Sequence, residues 1–192
     1  MEKAIKEIRL VDMRASEDEG MVVEGYAAVF DTVTDLGWMH EVIDRHAFDN
    51  ADMSDIVMKY NHEDSVLPMA RTRGGSLQFT IDDHGLKIRA KLPDTSVNKD
   101  IYTLIREGVL SKMSFAFTVR SEEYDYDTDT RKILEFDKIF DVSVVDVPAY
   151  ETTEIYARSK EQYEEEKRKY EEKKKEHNLE LEKEKIKLLL NF

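Results

Sequence analysis

The chain has 192 residues, enough for one domain with a real core plus an appended segment. It has no cysteine, which excludes disulfides, thiolate zinc sites and a cysteine nucleophile. The net charge is −13, and residues 1–157 hold 18 basic against 32 acidic residues; such a body lacks the cationic surface that phosphate binding needs, so basic segments rather than nucleic acid are its expected partners.

Taken in chain order, the start alternates charged and apolar residues from Met1 to Arg14. It has neither the apolar stretch of a secretion signal nor, anywhere later, the run of about 20 that a membrane helix needs. The expectation is a soluble, cytoplasmic protein with no membrane partner. Ile5 to Met13 and Met21 to Phe30 read as paired strands around the polar turn Ser16-Glu17-Asp18-Glu19-Gly20. Asp31 to Asp44, with Gly37 and Trp38, reads as a loop, and nothing in it separates a lid from a surface connection. Asp55 to Tyr60 is a short strand. Ser76 to Ile81 and Leu86 to Leu92 flank Asp82-Asp83-His84-Gly85, a hairpin signal in which Gly85 is free to take a positive φ. Pro93 ends that strand, and Asp94-Thr95-Ser96 leads into a helix over Lys99 to Glu107, stopped by Gly108. Met113 to Val119 is an apolar strand, Tyr124 to Thr130 an acidic turn between two more strands, and Ile139 to Val147 a last strand stopped by Pro148. These elements predict an α+β fold: a closed or nearly closed, mainly antiparallel β-barrel with surrounding helices.

Composition changes near Ala157. From Arg158 onward the chain lacks Gly and Pro and consists of helix formers, with acidic residues one turn ahead of basic ones at Glu164 and Arg168, Glu165 and Lys169, and Glu171 and Lys175. The expected organisation is a body at 1–157 and a charged helical tail at 158–192. That tail reads as a solvated helix rather than a regular coiled coil, because its apolar residues do not hold one heptad register. Its end, Ile186-Lys187-Leu188-Leu189-Leu190-Asn191-Phe192, is apolar enough to dock on a partner or on the body.

Three places carry candidate chemistry. His62, in Lys59-Tyr60-Asn61-His62-Glu63-Asp64, ends an apolar strand from which a side chain can be aimed into a cleft; read alone, it is as well explained as a surface or cap residue. Ser114, in Lys112-Met113-Ser114-Phe115-Ala116-Phe117, is a hydroxyl among large apolar neighbours that needs a partner if buried. A lone strand serine usually finds one on the backbone, but Ser114 is also placed to face His62 from a barrel edge. Asp141 and Asp146 interrupt the last apolar strand; by parity Asp141 shares a face with Ser143 and Asp146 takes the other. Exposure at a sheet edge explains such acids, and so does the orientation of a histidine. His40, His46, His84 and His177 lie in loop or tail contexts and read as solvated. Adjacent strand residues face opposite ways, so His62, Glu63 and Asp64 do not make one metal site, and neither metal nor cofactor is expected.

The segments Val23-Glu24-Gly25-Tyr26-Ala27-Ala28-Val29-Phe30, Asn61-His62-Glu63, Pro68-Met69-Ala70-Arg71-Thr72, Gly75-Ser76-Leu77, Asp83-His84-Gly85-Leu86, Met113-Ser114-Phe115-Ala116-Phe117 and Asp141-Val142-Ser143-Val144-Val145 with Pro148-Ala149 occur in order through residues 1–157. Together they resemble the tailed-phage prohead protease family, capsid-maturation serine peptidases similar in fold to herpesvirus assemblin. The resemblance implies Ser114 as nucleophile, His62 as general base, Asp141 as the acid that holds the imidazole, and Arg71 as support at the oxyanion. It further implies a serine endopeptidase acting on the scaffold segment of the major capsid protein and on itself, inside an assembling procapsid in the host cytoplasm. Two positions depart from the family pattern: Ala116 stands where Gly is frequent, and Met69-Ala70 where Leu-Gly is frequent. Another class of reading is a non-catalytic scaffold or capsid-assembly protein, suggested by the long charged helix.

Overall fold

The computed structural model describes residues 7–16, 20–146 and 154–190. Along these run β1 (Glu7–Ser16), β2 (Val22–Val29), β3 (Thr34–Asp35), β4 (His40–Ile43), β5 (Val57–Tyr60), β6 (Ala70–Arg71), β7 (Leu77–Ile81), β8 (Gly85–Lys91), α1 (Ser96–Arg106), β9 (Lys112–Asp125), β10 (Thr130–Val145) and α2 (Glu154–Leu190). The expected tail end at residues 191–192 and the strand stop at Pro148 lie outside the described residues.

One sheet holds the strands in the order β3-β4-β10-β9-β1-β2-β8-β7, with β5 on β10 and β6 on β5. The sheet curls into a half-barrel and does not close, which corrects the closed or nearly closed barrel expected from strand count. The physical reason lies at its ends: β3 offers two residues and pairs only with β4, while β7 pairs only with β8, so no ladder joins the terminal strands among the described residues. The curl comes from the long β9–β10 hairpin, whose register shifts repeatedly between Ile133 and Asp141; bulges of this kind sharpen the local twist and bend a strand. A cavity of about 670 Å3 is lined by Arg14, Gly25, Tyr26, Glu41, Ile43 and Phe115 among others.

The strand expected after the acidic turn at Tyr124–Thr130 and the last strand expected from Ile139 are one, β10, and the expected loop at 31–44 contributes two strands to the sheet. Most pairs are antiparallel, but β4 and β5 both lie parallel to β10, side by side along its outer edge at Thr130–Ile133 and Asp141–Val144. The Asp52–Lys138 bridge fills the interval between them.

Alternation puts Met113, Phe115 and Phe117 of β9 into the core with Phe136, Ile133, Val142 and Val144 of β10, and Phe48 closes the aromatic cluster against Phe136 at 4.5 Å. At the β7–β8 turn, Asp82 accepts from the backbone N–H groups of His84 (2.9 Å) and Gly85 (3.1 Å). Gly85 does not take a positive φ. It is required by close approach instead, since a Cβ there would lie 2.0 Å from the Ala28 carbonyl oxygen. Gly108 does take a positive φ, 73°, and ends α1 as a left-handed cap, while Thr95 caps the start by accepting from Asn98 N–H.

The long helix is not solvated throughout. Tyr163 is buried in a second apolar cluster with Leu36 and Met39, edge-on to Trp38 at 5.1 Å, with Tyr124 and Tyr126 against it. Its hydroxyl donates to Asp129 at 2.6 Å, and Lys167 pairs with the same carboxylate. Burial and the Asp129 carboxylate push the Tyr163 phenol well above its ordinary range, and burial lifts Tyr126 to about 12. From Glu171 on, the described side chains are exposed, with Lys174 reaching back to Asp127 at 2.5 Å.

Candidate active site

β9 runs between β1 and β10, so both its edges are bonded and Lys112–Val119 is covered on both faces except at its ends. Ser114 therefore sits in a central strand, not at the barrel edge the sequence suggested, and is fully buried. Ser143 of β10 lies directly across from it, and Asp141 lies across from Ala116. Directly opposed residues of an antiparallel pair share a face with Cβ atoms about 5 Å apart, so Ser114, Ser143 and Asp141 form one polar patch on the side of the sheet away from Phe115 and Val142.

The parallel pairing of β5 on the same stretch of β10 brings the histidine. β5 ends at Tyr60, and the chain turns through Asn61 (φ 50°) and His62 (φ 57°), with Glu63 N–H bonded to the Tyr60 carbonyl at 3.0 Å. Two consecutive left-handed non-glycine residues are costly, and they persist only where surroundings enforce them. Here Asn61 N–H donates to the Val144 carbonyl (2.8 Å), Asn61 Oδ1 accepts from Asp146 N–H (3.2 Å), and the Tyr60 hydroxyl donates to Asp146 Oδ2 (2.9 Å). Burial and that carboxylate raise the Tyr60 phenol above its ordinary value, which keeps it a donor.

His62 Nδ1 lies 2.5 Å from Asp141 Oδ1, within a pair almost wholly removed from solvent: the Asp141 side chain is 1% exposed and that of His62 14%. The acid is thus buried and paired rather than exposed at an edge. Ser143 Oγ completes the group, donating to Asp141 Oδ1 at 3.1 Å, accepting from His62 backbone N–H at 3.2 Å and lying 3.2 Å from Nδ1. A carboxylate only accepts, so Nδ1 donates in this contact, and in the neutral ring that leaves Nε2 as the acceptor. Both His62 Nε2 and Ser114 Oγ are buried without a hydrogen-bond partner among the described residues. A ring nitrogen and a hydroxyl are thus left unsatisfied in the surroundings of Asp141 and Ser143.

Arg71 is not brought to this group. Its guanidinium forms a two-point pair with Asp55 (Nε and Nη2 each 2.7 Å from a carboxylate oxygen), half-exposed on β6. The other histidines are exposed: His46 pairs with Asp49 at 3.1 Å and His84 stands edge-on to Tyr26 at 4.5 Å. Among the described residues no three His, Asp or Glu side chains gather as a group able to hold a metal ion. The residue that sequence reasoning left without a role is Ser143; parity put it on the Asp141 face, but its bonds to His62 depend on the β5 pairing.

The chain is 28% identical over 140 residues to the prohead protease of Enterobacteria phage HK97, a match covering 71% of this chain and 59% of that relative's length. Among solved structures, the capsid assembly protease of bacteriophage T4 aligns with a TM-score of 0.49 at 12% identity, covering 74% of this chain and 99% of that one. The sequence model of the Caudovirus prohead serine protease family matches residues 9–169, from β1 through the docked turns of α2, and to that family the chain belongs.

Proposed function

We propose that this chain is a serine endopeptidase of phage capsid maturation, with Ser114 as nucleophile, His62 as general base and Asp141 as the group that orients the imidazole. The observation that carries the reading is the short His62–Asp141 contact beside two buried, unpartnered reacting atoms. In the reaction, Ser114 Oγ attacks the scissile carbonyl while its proton moves to His62 Nε2. The tetrahedral adduct then expels the amine, which takes that proton, and water repeats the cycle to release the acid. Asp141 stabilises the imidazolium without itself gaining a proton. Arg71 enters as oxyanion support only by leaving Asp55.

The proposed substrates are the scaffold segment of the major capsid protein and the chain itself, cut within the procapsid in the host cytoplasm. The acidic body favours basic segments. Residues 1–157 form the catalytic body in this reading and 158–192 the helical extension. No helix of the described residues is long and apolar enough to cross a membrane. The exposed second half of α2 also suits a scaffold-like contact, so the tail of the enzyme serves to bring it into the shell.

A fluorophosphonate tests the assignment directly, because the serine oxygen displaces fluoride from phosphorus and gives its proton to the histidine. Intact mass should show one adduct on the wild type, on Ser114, and none on Ser114→Ala. Co-expression with the capsid protein should yield discrete fragments only with the wild type. An adduct on Ser143, or processing by Ser114→Ala, would overturn the nucleophile.

A further inference from the structure

We infer that Ser143 is a positioning residue for this reaction: its hydroxyl locks the His62 backbone and the Asp141 carboxylate to each other, and so selects the imidazole tautomer that can accept the Ser114 proton. The inference rests on the protease reading and adds a fourth member to the site. Its basis is geometric. Ser143 Oγ contacts both partners of the His62–Asp141 pair, at 3.1 Å from Asp141 Oδ1 and 3.2 Å from His62 Nδ1, and accepts the His62 backbone N–H at 3.2 Å.

Each of those contacts answers a specific difficulty. The His62 N–H belongs to a residue in the left-handed region, where the turn supplies it no backbone acceptor, and a buried N–H left alone is costly. The Asp141 carboxylate is buried and needs donors on the oxygen it shows to the ring, or its charge is uncompensated. A hydroxyl both donates and accepts, so one side chain meets both needs, with its proton on Asp141 and its lone pair on the N–H. With that arrangement the Nδ1 proton has only oxygens before it, and Nε2 is left as the base. Ser143 is also 0% exposed and directly across from Ser114, so its hydroxyl has no solvent to bond in place of these partners.

The test uses the full chain with a fluorophosphonate as probe and separates the maximal rate of phosphonylation from the affinity for the probe. Ser143→Ala should lower the maximal rate about 10- to 100-fold, the usual cost of removing a group that orients a reacting ligand, with little change in affinity. Ser143→Thr, which keeps the hydroxyl, should recover most of that rate. By proton NMR, the downfield resonance of the His62 Nδ1 proton in the short bond to Asp141 should broaden or move upfield in Ser143→Ala. If the alanine variant does not fold by thermal melting, Ser143→Cys replaces it with the same expectations, a thiol being a weak donor. An unaltered rate, an unaltered resonance, or a folded threonine variant as slow as the alanine one would overturn the inference. Failure of the protease reading is separate: a wild type that never reacts, with a His62 resonance that still depends on Ser143, removes the enzyme and upholds the positioning role.

Discussion

At the scale of the residue, the site is built by holding His62 where an L-residue resists going. Asn61 is the best non-glycine choice for the first left-handed position, since its short amide tolerates the conformation, and here the amide oxygen also takes the Asp146 N–H. Conformation and hydrogen bond can be separated. Asn61→Gly should keep the turn and lose the amide contact; Asn61→Ala loses the contact and adds the strain of a Cβ at positive φ, a difference of about 1 kcal/mol. Thermal melting should rank wild type above Asn61→Gly and that above Asn61→Ala, with fluorophosphonate reactivity falling in the same order. Equal melting of the two variants would show that the turn relaxes and does not aim the histidine. The sequence singled out Ser114 and Asp141 as polar groups within apolar runs and His62 as the end of a strand, and only the family resemblance supplied their proposed roles. Ser143 was not singled out, since a serine two residues from an acid carries no signal until its neighbour across the sheet is known.

At the scale of the element, α2 docks on the β9–β10 hairpin through Tyr163 and two acid–lysine pairs. Asp129 is the hinge of that contact: Lys167 first, then the Tyr163 hydroxyl, hold its carboxyl below the usual value of 3.8. A carboxylate with a depressed folded pKa contributes stability that is fully present above 3.8 and is lost as pH falls through the lower folded value. Acid should therefore loosen α2 before the sheet. Trp38, the single tryptophan, reports this because it stands against Tyr163. Its emission should shift to the red on acidification while sheet circular dichroism persists, and a coincident loss of both signals would refute the order. Helix and hairpin identities were readable from composition, capping residues and turn chemistry. The parallel places of β4 and β5 were not, because β4 lay in a stretch read as a loop and β5, though read as a strand, meets a partner far along the chain, Val57 against Asp141. Nor was the docking of α2 legible: its buried tyrosine is one position in a sequence otherwise patterned for water.

At the scale of the whole molecule, the half-barrel and the helix share a boundary that does not coincide with the change in composition. A chain ending after Lys175 retains Tyr163 and Lys167, whereas one ending after Ser159 removes them and opens Trp38 and Met39 to solvent. The shorter chain should lose about 3 kcal/mol, the cost of deleting one large buried aromatic side chain, and show red-shifted Trp38 emission. The longer one should melt like the full chain and remain reactive to fluorophosphonate, while entering procapsids less well. Indistinguishable melting of the two truncations would show that the docked turns add nothing to the body.

The strand β10 lies between the half of the molecule that carries Ser114 and the half that carries His62, and it brings Asp141 with it. During synthesis this has a temporal meaning. A nascent chain that has emerged through β9 already contains Ser114 and His62, the proposed nucleophile and base, yet the two belong to segments with no ladder in common. Only when β10 has left the ribosome, 79 residues after His62, can the imidazole meet its carboxylate. If the proposed protease reading holds, the order of translation therefore leaves the site incomplete until the last strand is in place.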